Sequence, residues 1–217
     1  MTEPNILLLC PDEMKASALG CYGQTQPTSP FLDQIAQRGA QFNQCHVVHT
    51  KCVPSRASLL TAQYPHVNGH RTLALEVRPH EINLIRQLKD HGYETALAGK
   101  NHTVDAQTMP QTFDHHLKGG GRGTMEGDGQ MPPGSYYVGQ DDVPYESFKD
   151  TRQTDEAINW LNQRSDQKPF FMWLNWGSPH PPYSVPAPCF GTLDRASIKL
   201  PPRDLGVNKP PYQKMLY

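Results

Sequence analysis

Asn5-Ile6-Leu7-Leu8-Leu9-Cys10-Pro11-Asp12-Glu13 runs an unbroken apolar segment into a proline and two carboxylates. Lacking the apolar/polar alternation of a half-solvated strand, the run predicts a strand buried on both faces, as in a parallel sheet, with a polar loop at its end. The same arrangement recurs twice. Tyr93 to Ala98 leads into Gly99-Lys100-Asn101-His102, and Phe170 to Trp176 leads into Gly177-Ser178-Pro179-His180-Pro181-Pro182. Helical signals lie between these runs. Ser29-Pro30 supplies an N-cap and a proline at the first helical position, Leu32, Ile35 and Ala36 form an apolar face, and Gly39 closes the helix. A second helix is predicted from Pro54 through Leu59 and Leu60. A third runs from Pro79 through Ile82, Ile85 and Leu88 to Gly92, and a fourth spans Asp155 to Gln163.

Strands spaced by helices predict an α/β fold, a mostly parallel central sheet flanked by helices. Ligands of such sheets bind beyond the carboxyl ends of the strands. Asp12-Glu13, Lys100 with His102, and His180 are therefore expected along one edge. The whole of 1–217 reads as one catalytic unit, with core elements at 5–102 and 150–183. An irregular excursion is expected over 103–149, where Gly119-Gly120-Gly121-Arg122-Gly123 and Met131-Pro132-Pro133-Gly134 break any period. His115-His116 falls in that excursion and is expected to face substrate. A proline-rich tail covers 186–217.

The 217 residues suffice for a sizeable core. Twenty Lys+Arg against 21 Asp+Glu give a formal net charge of −1 and no polybasic run, which argues against nucleic acid or an anionic membrane as partner. The run Ile6 to Cys10 is too short for a membrane span or a signal h-region. A cytoplasmic protein is expected, or a periplasmic or secreted one had a signal peptide been removed. Five scattered cysteines without a CxxC pair form neither a disulfide framework nor a zinc site. The glycines at 119–123 lack the lysine and hydroxyl of a phosphate-binding loop. His66 and His70, four apart, are interrupted by Pro65 and Gly69 and read as a polar loop near the site rather than a metal pair.

Cys52-Val53-Pro54-Ser55-Arg56 puts a cysteine at a helix N-terminus, where free N–H groups and the helix dipole favour an anion. Arg56, one turn on, adds a permanently charged fork. An ordinary thiolate nucleophile and a buried structural cysteine both fit those residues alone.

The longer string Cys52-Val53-Pro54-Ser55-Arg56-Ala57-Ser58-Leu59-Leu60-Thr61, followed by Tyr64-Pro65-His66, resembles the signature of the type I sulfatase family, formylglycine-dependent members of the alkaline phosphatase superfamily. Asn5 to Glu13 with Leu19-Gly20-Cys21-Tyr22-Gly23, Gly92 to His102, and Pro169 to Tyr183 resemble further blocks of the family in the same order. The resemblance implies that Cys52 is converted by a maturing enzyme to formylglycine, whose hydrate attacks the sulfur of a small-molecule sulfate ester. It implies that Asp12, with Glu13 in place of the usual second aspartate, and the oxygen borne by Cys52 hold Ca²⁺ or Mg²⁺. Arg56 would anchor the nucleophile, Lys100 the sulfate oxygens, His102 the diol, and His180 the sulfate or the leaving alcohol. Asn101 stands where the family often has an aromatic, a change expected to touch packing.

Relatives of this family are longer, with a second metal-binding pair and a further lysine beyond residue 217. The ending Lys214-Met215-Leu216-Tyr217 is accordingly expected to be a truncation, leaving a sheet edge open to homo-oligomer formation. A phosphonate monoester or phosphodiester hydrolase of the same superfamily, and a non-catalytic anion-binding module, are the rival expectations.

Overall fold

A computed structural model describes residues 3–118, 137–165 and 167–198. The glycine-rich and Met131–Gly134 stretches and the tail beyond residue 198 lie outside the described residues. The elements are β1 (Ile6–Pro11), α1 (Pro30–Arg38), α2 (Cys52–Thr61), α3 (Pro65–Asn68), α4 (Leu84–Asp90), β2 (Glu94–Gly99), α5 (Met109–Thr112), β3 (His115–Leu117), β4 (Tyr137–Asp141), α6 (Lys149–Gln163), β5 (Phe170–Trp176) and β6 (Tyr183–Pro186). A four-stranded sheet in the order β1-β5-β2-β3 is parallel throughout, and β4 and β6 form a small parallel pair beside it. No helix among the described residues is long and apolar enough to cross a membrane.

The apolar runs become β1, β2 and β5, and their pleat sorts the core. Phe171 and Trp173 of β5 and Leu97 of β2 face one side, where Ala57 and Leu60 of α2 and Ile85 of α4 cover them. Met172 and Leu174 with Ala96 and Ala98 face the other, against Ala157 of α6. Each such leucine or isoleucine withdrawn from water contributes about 1.5–3 kcal/mol, which is the force that closes the two layers on the sheet. The first strand departs from expectation. β5 and β2 are the interior strands, whereas β1 pairs only with β5 among the described residues and Leu7 stays 47% exposed.

The helices also depart in detail. α2 begins at Cys52, two residues before Pro54, so the proline takes the first turn, where a missing N–H costs nothing. α1 forms as predicted, but its apolar side is not buried against the described residues, and Ile35 is 60% exposed. Ser29 does not cap α1 with its hydroxyl, which donates instead to Asp33 Oδ1.

α4 starts at Leu84, not near Pro79. Glu81 is taken by His70 Nε2 and by the Arg78 N–H, and Asn83 is the better cap, accepting from the Arg86 N–H at 2.8 Å. Asn83 is fully buried and its Nδ2 also donates to Thr112 Oγ1. Asn83→Ala is therefore expected to cost about 1–2 kcal/mol of stability, read by urea unfolding, and an unchanged midpoint would show the cap to be dispensable.

The stretch expected to be irregular carries structure. α5 and β3 occupy its first part because the Asp105 carboxylate turns the chain at Thr108 and β3 adds to β2 with Ala96 opposite His115. β4 and the first residue of α6 occupy its last part.

Candidate active site

The carboxyl ends of β1, β5 and β2 lie side by side, with Asn175 opposite both Cys10 and Gly99 in the sheet register. The residues just past these ends converge. Asp12 is 4% exposed and its Oδ2 accepts from Lys100 Nζ at 2.6 Å. Arg56 reaches in from α2, with Nη2 4.0 Å from the same oxygen. Its Nη1 donates to Asn175 Oδ1 at 2.7 Å, and its guanidinium carbon lies 5.8 Å from the centre of the Trp173 ring. Cys52 Sγ, at the first position of α2, is 3.5 Å from His102 Nδ1. A carboxylate, two cations, a thiol and an imidazole therefore lie together past the carboxyl ends of the strands.

His180 and Glu13 form a second part. His180 Nε2 lies 3.6 Å from Glu13 Oε1, and Nδ1 contacts the Pro181 carbonyl. Glu13 occupies the left-handed region at φ 63°, and its side chain is directed towards His180. The loop bearing Lys100 and His102 is fastened by Asn101, whose Oδ1 accepts from the Thr103 and Val104 N–H groups and whose Nδ2 donates to the Val104 carbonyl. The residue expected to affect packing is thus a loop closure.

Burial pushes the His102 imidazole down to about 4; Lys100 pushes the same way, Asp12 opposes, and Arg56 and His180 add to the fall. Between the ordinary value of 6.5 and about 4, the unfolded chain holds a proton at His102 that the folded chain does not. Its contribution to stability is present above pH 6.5 and diminishes as the pH falls towards about 4. Histidine ring NMR is expected to show His102 neutral down to about pH 4; a midpoint near 6.5 would show the ring to be solvated.

Three further histidines are engaged elsewhere. His70 is buried, with Nε2 at Glu81 and Nδ1 at the Leu75 carbonyl, while His66 stacks on Tyr64. His115 pairs with Glu94 and packs on Trp160, at the opposite end of β2 from Lys100. It does not face the site as expected, because joining β2 as a strand fixes its direction. Asn175 was not among the expected site residues. A polar side chain inside an otherwise apolar strand is the signal for it, since a buried amide needs partners.

For a divalent cation, Asp12 offers a buried hard oxygen and the Cys52 position a second donor, which suits Ca²⁺ or Mg²⁺ in kind. Among the described residues no cluster of three His, Cys, Asp or Glu could hold a metal alone.

The model of the sulfatase family matches residues 4–195. The chain is 32% identical over 186 residues to N-acetylglucosamine-6-O-sulfatase of Bacteroides thetaiotaomicron, covering 86% of this chain and 32% of the relative. It is 30% identical over 199 residues to human (Homo sapiens) iduronate 2-sulfatase, covering 84% and 36%. A solved complex of a protein with its substrate D-glucosamine-2-N,6-O-disulfate superposes with a TM-score of 0.63 at 31% identity, over 82% of this chain and 35% of that one. The phosphonate monoester hydrolase of Agrobacterium radiobacter superposes at 0.68 and 23% identity, over 86% and 43%, a likeness of fold. The chain belongs to the sulfatase family, whose members work with a formylglycine and a divalent metal. It spans about a third of the length of the curated relatives it matches.

Proposed function

We propose that the protein hydrolyses sulfate esters with a formylglycine made from Cys52. The observation that carries this reading is the placement of Cys52 Sγ at the α2 N-terminus, 3.5 Å from His102, whose ring lies in the field of the Lys100–Asp12 pair. Formylglycine supplies a hydrated aldehyde as nucleophile, with a second hydroxyl that gives the bound sulfate a route out. A divalent cation, Ca²⁺ by preference, would be held by Asp12 and the Cys52-borne oxygen and would lend positive charge to the nucleophile end.

This chain's own residues would do the rest. His102, neutral over the working range, accepts the proton of the attacking hydroxyl. Lys100 and Arg56 present fixed positive charge to the sulfate oxygens, where charge accumulates in the transition state. His180, at the outer rim, delivers a proton to the departing alcohol, and Glu13 orients its ring. The names of the two curated relatives make sulfated amino sugars and uronic acids the substrates to assay first.

The test is the mass of the peptide containing Cys52, taken without alkylation from a host that matures such enzymes. A loss of about 18 Da, thiol to aldehyde, supports the reading. An unmodified thiol removes it and leaves anion binding without catalysis. Parallel assays with aryl sulfate and a phosphonate monoester then fix the ester class.

A further inference from the structure

We propose that Asn175 is a positioning residue of this site, which holds Arg56 out of a close pair with Asp12 and fixes its spacing from Lys100, so that the guanidinium keeps its charge for an oxyanion bound between the two cations. The proposal rests on the sulfate-ester reading given above.

Asn175 is 0% exposed on an interior strand, and it touches the machinery three times. Its backbone carbonyl accepts from the Lys100 N–H at 3.0 Å. Its Nδ2 donates to the Lys100 carbonyl at 3.1 Å, and its Oδ1 accepts from Arg56 Nη1 at 2.7 Å. The orientation of the amide follows from its partners. A guanidinium only donates and a carbonyl only accepts, so the oxygen must face Arg56 and the nitrogen Lys100. No aliphatic residue or carboxylate meets both demands. The alternation of β5 places Asn175 on the same side as Phe171 and Trp173, the side covered by α2, which is why it meets Arg56 at all.

The neutrality of the amide is the point of the arrangement. Arg56 Nη2 stands 4.0 Å from Asp12 Oδ2, outside a close bidentate pair, while Lys100 takes that oxygen at 2.6 Å. A neutral acceptor satisfies the guanidinium without cancelling its charge. A carboxylate at the same place would keep the contact to Arg56, strengthen it, and neutralise the group an oxyanion must find. It would also set a negative oxygen against the Lys100 carbonyl. A side chain without an acceptor would release Arg56 towards Asp12. Both changes act through Arg56 and Lys100, since Asn175 itself is closed off from solvent.

The experiment compares the whole chain with N175D, and with K100A as reference, using inorganic sulfate as the probe in calorimetry and the melting temperature as the measure of folding. N175D is isosteric, and its new ion pair with Arg56 offsets part of the repulsion at the Lys100 carbonyl, so it is expected to melt below wild type but still fold. It is expected to bind sulfate about tenfold or more weakly, a loss well beyond what the fraction folded accounts for, since an opposing charge now sits at hydrogen-bond distance from Arg56. Such a separation of affinity from stability is what a merely structural residue does not give. If wild type binds sulfate, K100A does not, and N175D binds as wild type does, the inference is overturned and the reading of the site stands. If wild type itself fails to bind sulfate, the reading falls and the inference with it. Should N175D not fold, N175S takes its place: it keeps an acceptor for Arg56 but shortens the reach, so a comparable loss of affinity supports the proposal and unchanged affinity overturns it.

Discussion

Lys100→Ala is expected to lower the unfolding free energy by about 3 kcal/mol, because it strands a buried carboxylate. Lys100 Nζ and Asp12 Oδ2 are 2.6 Å apart and their side chains are 10% and 6% exposed. Little water can replace the ammonium. Arg56 remains 4.0 Å away and softens the loss, which keeps the figure at the lower end of the range for broken buried pairs. Urea unfolding measures it, and a change below about 1 kcal/mol would mean that the pair is effectively solvated.

A double variant separates the two roles of the lysine. Replacing Lys100 by Met and Asp12 by Asn together removes both charges, and stability should return towards wild type. Sulfate binding should not return in the double variant, and in the single Lys100→Met variant of the whole enzyme, which keeps Asp12, kcat should fall by about 10²–10³ with the loss of a charge aimed at the transition state. Recovery of both stability and binding would contradict the role given to Lys100.

Gly99→Ala is expected to be as damaging without touching any charge. Gly99 closes β2 at φ 87°, in the left-handed region, and a Cβ there would lie 2.2 Å from the Asn175 carbonyl oxygen. That oxygen cannot retreat freely, because it accepts the Lys100 N–H. Gln153 Oε1 of α6 would stand 2.9 Å away on another side. The strain of the backbone and the forced shift of β5 add to about 3 kcal/mol or more, a drop of about 10 °C in melting temperature for a domain of this size. A Gly99→Ala chain that melts within about 2 °C of wild type would show that β2 and β5 part easily.

The sheet and the edge of the site were legible for one reason. Strands of a parallel sheet are apolar without alternation, so Ile6–Cys10, Tyr93–Ala98 and Phe170–Trp176 announce themselves as strands, and the polar residues after each run must then gather. Strand order is a different kind of information. Nothing in the runs says that β1 pairs only with β5 among the described residues while β5 has a neighbour on each side. Helix starts slipped where a side chain served another partner, as Glu81 does at His70. β3 was hidden because three residues carry no period and take their shape from β2. Asn175 was hidden by its company, a single polar residue in a run read as core, and its partners come from α2 and from Lys100 just past β2, far away in the chain.

The order β1-β5-β2 has a kinetic consequence. The strand that joins the two halves of the site is the last of the three to be synthesised, and β1 and β2, which pair with it and not with each other, belong to no common sheet until it arrives. Closing the sheet requires β5 to enter between two strands already made, with about 75 residues separating it from β2 and more than twice that from β1, and such non-local parallel pairings form slowly. Lys100 and Asp12 therefore come together late, and a folding intermediate should hold α2 and its cysteine without the pocket around them. Stopped-flow refolding should show Trp173 and Trp176, both on β5, reporting only the final phase.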